Sequence, residues 1–549
     1  MSVLFKTVSA MEKCFMDEAF DSKKEKTHSS ALLGEEACFE AVYTSDNPAD
    51  MPKGWYNLEV ESPLIDHVRV RQVEQVPVRV TTYLGVDDYY LRKTPGLFPD
   101  LLGELSPNNT VFVTYGELKA FFITVRIPED TAAGDYPVTL TIKQGEDVAA
   151  QAVYTIHVIG KKIPKQTMKV TEWFHTDCIA NYYNLETFSE KHWEYIEKFM
   201  RVAVENGINT ILTPVFTPPL DTAVGGERRT VQLVDVYREN GEYAFGFEKL
   251  DRWVEAALRV GVEYFEVSHL YSQWGATHAP KIMGYDNGEY RRIFGWETDA
   301  FSDEYKTFLR AFLTAFIEEM KRLGVDKKCL YHISDEPGLA QLENYKCAKS
   351  QIQDLLKDYI IMDALSDFEF YKTGVLDTPI PANNHIDPFI EAGVKDLWTY
   401  YCCGQADKVS NRFLAMPSQR TRVIGAQFWK YRIAGFLQWG YNFYNSQGST
   451  RTINPFLVTD GDYFVPAGDC FAVYPGENGE PLETLHMKAF TMALYDRRAM
   501  DLAEELYGRD AVMALVDARG NVTFSEYPHD EDYVDSLREA VNELIEQAD

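Results

Sequence analysis

The sequence predicts an α/β protein: a (β/α)8 barrel of the TIM type, preceded by an antiparallel β-sandwich and followed by a short helical region. Residues 1–165 contain short runs of β-branched and aromatic residues separated by turn residues, a pattern typical of strands. From residue 166 onward, short apolar runs alternate with stretches of helical periodicity. The 549 residues are enough for a barrel, which takes about 250 residues, and two additions.

The N-terminal region, residues 1–165, is predicted to be a sandwich. The turn at 128–135 contains Pro128 and Gly134, which favour tight turns because proline fixes φ and glycine allows positive φ. Several short strands at this spacing are typical of two packed antiparallel sheets. The strands are expected at 78–84, 119–125, 136–143 and 149–159.

The barrel is expected over residues 166–455. Its clearest helix follows Ser302, where large apolar residues recur every three or four positions up to Leu323. The spacing of Thr187 and Glu190 predicts a capping box at the start of an earlier helix. A helix after the fourth strand is expected to run to Tyr359. The strands are expected at 170–174, 208–215, 262–267, 330–334, 360–364, 379–382, 397–401 and 435–439.

The C-terminal region, residues 456–549, is expected to be mainly helical and to pack on the barrel. Its helical stretches are 481–506 and 532–547.

Charge and composition exclude several classes of function. The formal net charge is −30, and the absence of a long basic run argues against partners such as nucleic acid or an anionic membrane. No run of 18 apolar residues predicts a membrane span, and the first 20 residues lack the apolar core of a secretory signal. With eight dispersed cysteines, this predicts a cytoplasmic protein with reduced thiols.

Cofactor motifs are also absent from the sequence. The 11 histidines show no zinc-binding spacing, and no glycine-rich phosphate or dinucleotide motif occurs. We therefore expect neither a metal nor an organic cofactor.

Candidate catalytic residues are found by taking the carboxyl ends of the predicted strands, where barrel active sites lie. The fourth strand ends in Asp335-Glu336-Pro337. Two carboxyl groups held together are what glycosidic cleavage usually needs, one to donate a proton and one to stabilise the developing cation. Neighbouring residues on a regular strand point to opposite faces, so both can enter the site only if the chain turns at Pro337. The alternative is ordinary capping at a helix start.

Aromatic and polar residues at other strand ends supply candidate substrate contacts. Sugars present flat C–H faces that stack on aromatic rings, and histidine or asparagine side chains can bind hydroxyl groups. The alternative for each is a structural place in the core. The candidates are Trp398, Tyr400, Trp439, His175, His269, His385 and Asn442.

Five segments, in order along the chain, give a resemblance to a known family. They are 126–136 (RIPEDTAAGDY), 331–337 (YHISDEP), 396–404 (DLWTYYCCG), 431–439 (YRIAGFLQW) and 468–476 (GDCFAVYPG). Together they resemble glycoside hydrolase family 123, the β-N-acetylgalactosaminidases, and the uncharacterised proteins around it. Three features depart from the family pattern: Leu414-Ala-Met-Pro417, a C-terminal helix that starts without arginine, and a short helical C-terminal region.

The resemblance implies a retaining, substrate-assisted exo-glycosidase that releases a terminal β-linked N-acetylhexosamine, with N-acetylgalactosamine favoured, from a small glycan or glycoconjugate. It implies that Asp335 orients the acetamido N–H and that Glu336 is the general acid and then the general base. Tyr400 is expected to hold the acetamido oxygen, and Trp398 and Trp439 to form walls of the sugar pocket.

Two other hypotheses stay open at this point. The first is a glycosidase for a different sugar with an ordinary carboxylate nucleophile, supplied by Glu172, Glu266 or Asp363. The second is a non-catalytic carbohydrate-binding protein, which the sandwich and the aromatic residues would serve equally well.

Overall fold

The N-terminal region forms a β-sandwich in the computed structural model of the chain, which describes residues 3–48 and 54–548. Within these residues one sheet has the order β1-β3-β8-β5-β6 and the other β2-β10-β9-β4-β7. The pairing is antiparallel except between β2 and β10. The strands are β1 Val3–Ser9, β2 His28–Leu33, β3 Glu36–Ser45, β4 Trp55–Glu61, β5 Val68–Val78, β6 Gly96–Glu104, β7 Thr110–Phe112, β8 Lys119–Arg126, β9 Gly134–Gln144 and β10 Asp147–Lys162.

The two sheets share one apolar core, in which Phe39 stacks on Tyr154 at 4.0 Å between ring centroids. The sequence predicted three of these strands well, but the strand expected at 78–84 is wrong. Strand β5 ends at Val78, where the chain leaves the sheet and Arg79 donates hydrogen bonds to Asp460 in the C-terminal part.

The barrel consists of parallel strands in the order β20-β19-β18-β15-β12-β11-β22-β21. A single bridge between Ala382 and Tyr400, with the Tyr400 N–H donating to Pro381 O at 3.1 Å, joins the two ends of this sheet and completes the ring. The strands are β11 Lys169–Glu172, β12 Thr210–Thr213, β15 Tyr264–Val267, β18 Cys329–Tyr331, β19 Ile360–Ala364, β20 Thr378–Ile380, β21 Trp398–Tyr400 and β22 Gly435–Gln438. Each lies within or overlaps a predicted strand.

Helices follow the barrel strands along the chain. Ser302 caps α4 by accepting a hydrogen bond from the Tyr305 N–H at 3.3 Å, as the apolar spacing predicts. The cap of α2 is Ser189 and not Thr187. Helix α5 ends at Ser350, well before Tyr359. The helices are α1 Thr176–Tyr182, α2 Glu190–Glu205, α3 Glu248–Val260, α4 Asp303–Arg322, α5 Leu342–Ser350, α6 Glu369–Lys372, α7 Asp387–Glu391, α8 Ser418–Arg422 and α9 Ile424–Lys430.

Two hairpins inserted after β12 and β15 form a separate sheet, which the sequence analysis did not predict. Its order is β14-β13-β16-β17. Because both insertions follow barrel strands, they lie on the same end of the barrel as the candidate site. The strands are β13 Asp235–Glu239, β14 Glu242–Gly246, β16 Ile282–Asp286 and β17 Glu289–Phe294.

The chain after β22 crosses the barrel before it becomes helical. It passes through the short pair β23 Tyr474–Pro475 and β24 Pro481–Leu482 and continues as α10 Leu485–Tyr507, α11 Arg509–Val516 and α12 Tyr533–Glu546. Helix α10 packs along α9, and its Thr491 hydroxyl donates to Asn206 Oδ1 at 2.9 Å just after α2.

Helix α10 therefore takes the place of the eighth outer helix, between those that follow β21 and β11. This extends the barrel beyond the predicted boundary at residue 455. Helix α12 packs on β2 and β10 and ties the sandwich to the barrel. Among the described residues, no helix has both the length and the apolar character needed to cross a bilayer.

Candidate active site

A pocket of about 210 Å³, partly open to solvent, lies at the carboxyl end of the barrel. Its lining comes from the ends of the strands, from the long loops after β12 and β15, and from the crossing segment before β23. The lining residues are Trp173, Leu220, Asp221, Gln273, Trp274, Asp335, Glu336, Ala364, Tyr400, Cys402, Cys403, Leu437, Trp439, Phe464 and Val465.

The Asp335-Glu336 step, called here the mouth pair, lies in the loop after β18. The Asp335 carbonyl accepts from the Trp274 N–H at 2.9 Å, and the Glu336 N–H donates to Ala364 O at 3.0 Å. These bonds tie the step to both neighbouring strand ends. Glu336 has φ of 41°, a left-handed conformation that is uncommon for a non-glycine residue. The turn brings both carboxyl groups to the pocket, which a regular strand would prevent.

The mouth pair is electrostatically coupled. Burial raises the pKa of Asp335 well above its usual range, and the neighbouring Glu336 carboxylate adds to the rise. The Tyr400 hydroxyl donates to Glu336 Oε1 at 2.6 Å. Two adjacent carboxyl groups disfavour double ionisation, so Asp335 keeps its proton more readily than an isolated aspartic acid does.

Three tryptophans form much of the wall. Trp173 is buried, Trp439 is partly buried and Trp274 is 53% exposed at the rim. The Trp439 ring N–H donates to Asp469 Oδ2 at 2.9 Å, and Gln438 Nε2 donates to Asp469 Oδ1 at 3.0 Å. These bonds hold the Trp439 ring against the pocket. Burial raises the pKa of Asp469 to about 7.

Beneath the pocket lies a second set of carboxylates, Glu266 and Asp363, called here the buried pair. Both are fully buried and flank His332: Nε2 is 2.6 Å from Glu266 and Nδ1 is 2.9 Å from Asp363. These two carboxylates raise the pKa of His332 to about 10, although burial opposes the rise. The ring is therefore an imidazolium that neutralises part of the charge of the buried pair.

The buried pair also supports the pocket floor. The Trp173 ring N–H donates to Glu266 Oε1 at 2.8 Å, and Thr171 donates to the other carboxylate oxygen. Asp363 accepts from the Ile333 N–H at 3.1 Å and from the Tyr345 hydroxyl. Glu172, the third carboxylate considered from the sequence, forms a buried ion pair with Arg412 at 2.7 Å.

His269, His332 and Asp363 lie close enough together to hold a metal ion, with one ligand atom of each within 4.8 Å of the others. The chemistry of the set does not fit a metal, because both nitrogens of His332 already bind carboxylates and its imidazolium has no free lone pair. This cluster is an ion network around His332.

Two of the predicted contacts, Tyr400 and Trp439, line the pocket, and His385 lies exposed in an adjoining groove. In this structure Tyr400 donates to Glu336, so its contact with an acetamido oxygen stays a prediction. Trp398 is a correction: it starts β21, at the opposite end from the site, and packs over Gly435. The short strand exposes its last residue, Tyr400, to the site and not its first.

His175, His269 and Asn442 are also absent from the pocket lining. His175 Nε2 donates to Trp439 O at 2.8 Å, and Nδ1 accepts from Arg228 at 3.0 Å. Burial lowers the pKa of His175 to about 3, so the ring is neutral. Asn442 binds the backbone of His175, and His269 is stacked on His332 at 4.3 Å beneath the floor. These residues support the site from behind.

Sequence reasoning missed Asp221, Gln273 and Trp274, which come from the long loops after β12 and β15. Burial raises the pKa of Asp221 to about 7, helped by Asp469 and Glu336. No pattern in the sequence marks these loops. Trp173 and Asp469 could have been predicted, because they lie in the predicted strand 170–174 and in the segment 468–476 of the family resemblance.

Comparisons with known proteins agree with this geometry. A family model described as "Glycoside hydrolase 123, catalytic domain" matches residues 173–503, more than half of the chain. Among curated proteins, no sequence matches.

Among solved structures, the chain is similar to a family 123 glycoside hydrolase from Clostridium perfringens, studied for glycolipid glycan hydrolysis. The identity is 14%, the TM-score is 0.74, and the match covers 99% of this chain and 98% of the other. A Bacteroides ovatus GH5 xyloglucanase is similar at 9% identity over 85% of this chain and 98% of that one, with a TM-score of 0.30, too low to support an argument.

Proposed function

This chain belongs to glycoside hydrolase family 123. We propose that it is a retaining exo-glycosidase that acts by substrate-assisted catalysis and releases a terminal β-linked N-acetylhexosamine, with N-acetylgalactosamine as the favoured sugar. One observation carries the proposal. The mouth pair, Asp335 and Glu336, lines a pocket at the carboxyl end of the barrel, while the carboxylates of the barrel floor are held by His332 and Arg412.

The first half of the reaction uses both members of the mouth pair. Glu336 gives its proton to the glycosidic oxygen as the bond from that oxygen to the anomeric carbon breaks. The acetamido oxygen of the sugar attacks the same carbon and forms an oxazolinium ion. Asp335 accepts a hydrogen bond from the acetamido N–H and stabilises the positive charge of the oxazolinium ring.

In the second half, Glu336 takes a proton from water as that water attacks the anomeric carbon. The oxazolinium ring opens and the acetamido group is restored. Two displacements at one carbon retain its configuration.

The electrostatics of Asp335 support its role. In the free protein, burial and the Glu336 carboxylate raise the pKa of Asp335, so ionising both groups together is unfavourable. An acetamido N–H that donates to Asp335 stabilises its charged form, which is the form that can stabilise the oxazolinium ion.

The shape of the pocket supports removal of a terminal sugar. Its volume is about 210 Å³, and its tryptophan walls offer flat faces for the C–H groups of a pyranose. The crossing segment, with Phe464 and Val465, encloses one side. A chain that continued beyond the terminal sugar would meet this wall.

The carboxylate-nucleophile alternative loses its three named candidates. Glu172, Glu266 and Asp363 are buried in ion pairs and do not belong to the pocket lining. Asp221 does line the pocket, so the choice between the mechanisms is an experimental one. A carbohydrate-binding protein without activity would not need two adjacent carboxyl groups in its pocket.

The test is hydrolysis of three aryl glycosides: the β-N-acetylgalactosaminide, the β-N-acetylglucosaminide and the plain β-galactoside. We expect turnover of the first to exceed the others, and inhibition by a thiazoline analogue of the oxazolinium ion. Cleavage of the plain galactoside without thiazoline inhibition would overturn the mechanism. Binding of glycans with no hydrolysis would favour the non-catalytic alternative.

A further inference from the structure

A second, more open cavity of about 700 Å³ adjoins the pocket. The pocket and this cavity share only two lining residues, Glu336 and Tyr400, among those described. We call it the outer groove, and its other lining residues are Pro337, Gly338, Leu365, Ser366, Asp367, Phe368, Asn384, His385, Asp387 and Pro388.

We infer that the outer groove binds the leaving group and selects an uncharged sugar there over an anionic one. This inference rests on the proposed function, because it takes Glu336 as the general acid. A general acid must contact the oxygen between the sugar that is released and the group that leaves. Since Glu336 stands between the two cavities, a sugar held in the pocket directs its leaving group into the groove.

The polar groups of the groove suit a sugar. His385 is exposed, and its Nδ1 lies 2.8 Å from Asn384 Oδ1, which also accepts from Gln405 Nε2 at 3.1 Å. This arrangement fixes the side-chain oxygen of Asn384 and leaves its NH2 group and His385 Nε2 without a partner among the described residues. Both groups are available for hydroxyls.

The lining of the outer groove is both apolar and polar. Its apolar surface comes from Pro337, Leu365, Phe368, Pro388 and the ring of Tyr400. A sugar presents one apolar C–H face and many hydroxyls, which matches this lining. A bare acyl chain would leave the amide, imidazole and carboxylates of the groove without partners, at a cost in free energy.

The acidic residues of the groove favour an uncharged leaving group over an anionic one. Beside the general acid Glu336, the lining contains two further acidic residues, Asp367 and Asp387, and no lysine or arginine. Asp367 also accepts from the Glu369 N–H at 3.1 Å at the start of α6, which holds that carboxylate in place. A sulfate or carboxylate on the leaving sugar would be repelled by Asp367 and Asp387, most strongly at low ionic strength.

The first test compares two leaving groups on the same N-acetylgalactosaminide: galactose and galactose 6-sulfate. At low ionic strength we expect kcat/KM to be about tenfold higher for the neutral disaccharide, and Asp387→Asn to reduce that ratio at least threefold. Glu391→Gln, an exposed carboxylate on the same helix outside the groove, should leave the ratio unchanged. Equal cleavage of both substrates by the wild-type protein would overturn the inference.

The second test does not depend on which sugar is released. Methyl β-galactoside and its 6-sulfate are titrated into Glu336→Gln while the His385 Cε1–H resonance is followed by NMR, with His385→Gln giving the assignment. We expect the neutral probe to shift the resonance and the sulfate to leave it in place. No shift, or equal shifts, would overturn the inference. A selective shift without cleavage of any N-acetylgalactosaminide would contradict only the proposed function.

Discussion

Two pairs of carboxylates lie one above the other at this end of the barrel, and their surroundings differ. The mouth pair, Asp335 and Glu336, faces the pocket, and the Tyr400 hydroxyl donates a hydrogen bond to Glu336. The buried pair, Glu266 and Asp363, shares the His332 imidazolium and accepts further hydrogen bonds. Carboxylates that share a buried cation support the structure, whereas carboxyl groups that face a pocket without a cation beside them can take part in chemistry.

The largest expected effect is on the mouth pair. Glu336→Gln and Asp335→Asn should each lower kcat/KM for the aryl N-acetylgalactosaminide by about 10²–10⁴-fold, because each removes proton transfer or charge stabilisation in the transition state. Thermal unfolding should change little, since neither carboxylate has a cation partner to lose. Glu343→Gln, exposed on α5, is the matched control. Turnover near the wild-type value in both variants would refute the assignment.

Removing the cation of the buried pair should lower the free energy of unfolding. His332→Gln leaves Glu266 and Asp363 close together without their cation, and breaking a buried ion pair costs about 3–5 kcal/mol. The pKa of His332 is raised to about 10, above its ordinary 6.5, so the stabilisation is complete below about pH 6.5 and is lost as the pH rises through about 10. Urea unfolding from pH 6 to 10 should show that the difference in free energy of unfolding between the wild-type protein and His332→Gln becomes smaller as the pH rises. A gap independent of pH would contradict a charged His332.

A smaller effect on kcat/KM is expected from Tyr400, which donates a hydrogen bond to Glu336 of the mouth pair. Tyr400→Phe removes the hydrogen bond to Glu336, which becomes a carboxylate as it gives up its proton, and a hydrogen bond to a charged group contributes about 1.5–3 kcal/mol. We expect kcat/KM to fall about 10- to 100-fold. Tyr401→Phe is a useful control, because that buried tyrosine lies next in sequence but outside the pocket. Equal losses in the two variants would point to packing instead of the hydrogen bond.

The smallest effect concerns the rim of the pocket. Trp274 is half exposed and has φ of 56°, a conformation that costs an L-residue about 1–2 kcal/mol. Trp274→Gly should therefore leave the free energy of unfolding nearly unchanged, because released strain offsets lost contacts, while KM rises severalfold. Trp274→Phe should keep KM closer to the wild-type value. Steady-state kinetics with denaturant unfolding checks both, and a loss above about 2 kcal/mol would show that the ring is structural.

Local patterns predicted the barrel well because each strand is a short buried apolar run and each long helix has an apolar stripe, as α4 shows from its Ser302 cap to Arg322. They were poorer where a segment's partner is distant in sequence. The strand expected at 78–84 is replaced by a loop because Arg79 binds Asp460. Helix α10 was placed outside the barrel because its neighbours, α2 and α9, lie on either side of the closed ring.

The same limit applies to the site. The strand-end rule selected Asp335, Glu336, Tyr400 and Trp439, which line the pocket, and also Trp398, which lies at the start of its strand. Asp221 and Trp274 could not be found, because they reach the pocket from long loops whose course depends on tertiary contacts such as the bond from the Trp274 N–H to Asp335 O.

Residue types and periodicity along the chain are enough to predict the family resemblance, the barrel and the adjacent pair of carboxyl groups. Which carboxylates face the pocket and which are neutralised depends on the three-dimensional fold. That choice depends on through-space partners, such as His332 between Glu266 and Asp363, or Arg412 against Glu172. A carboxylate's role follows from its burial and its nearest cation, and neither quantity is written in the local sequence.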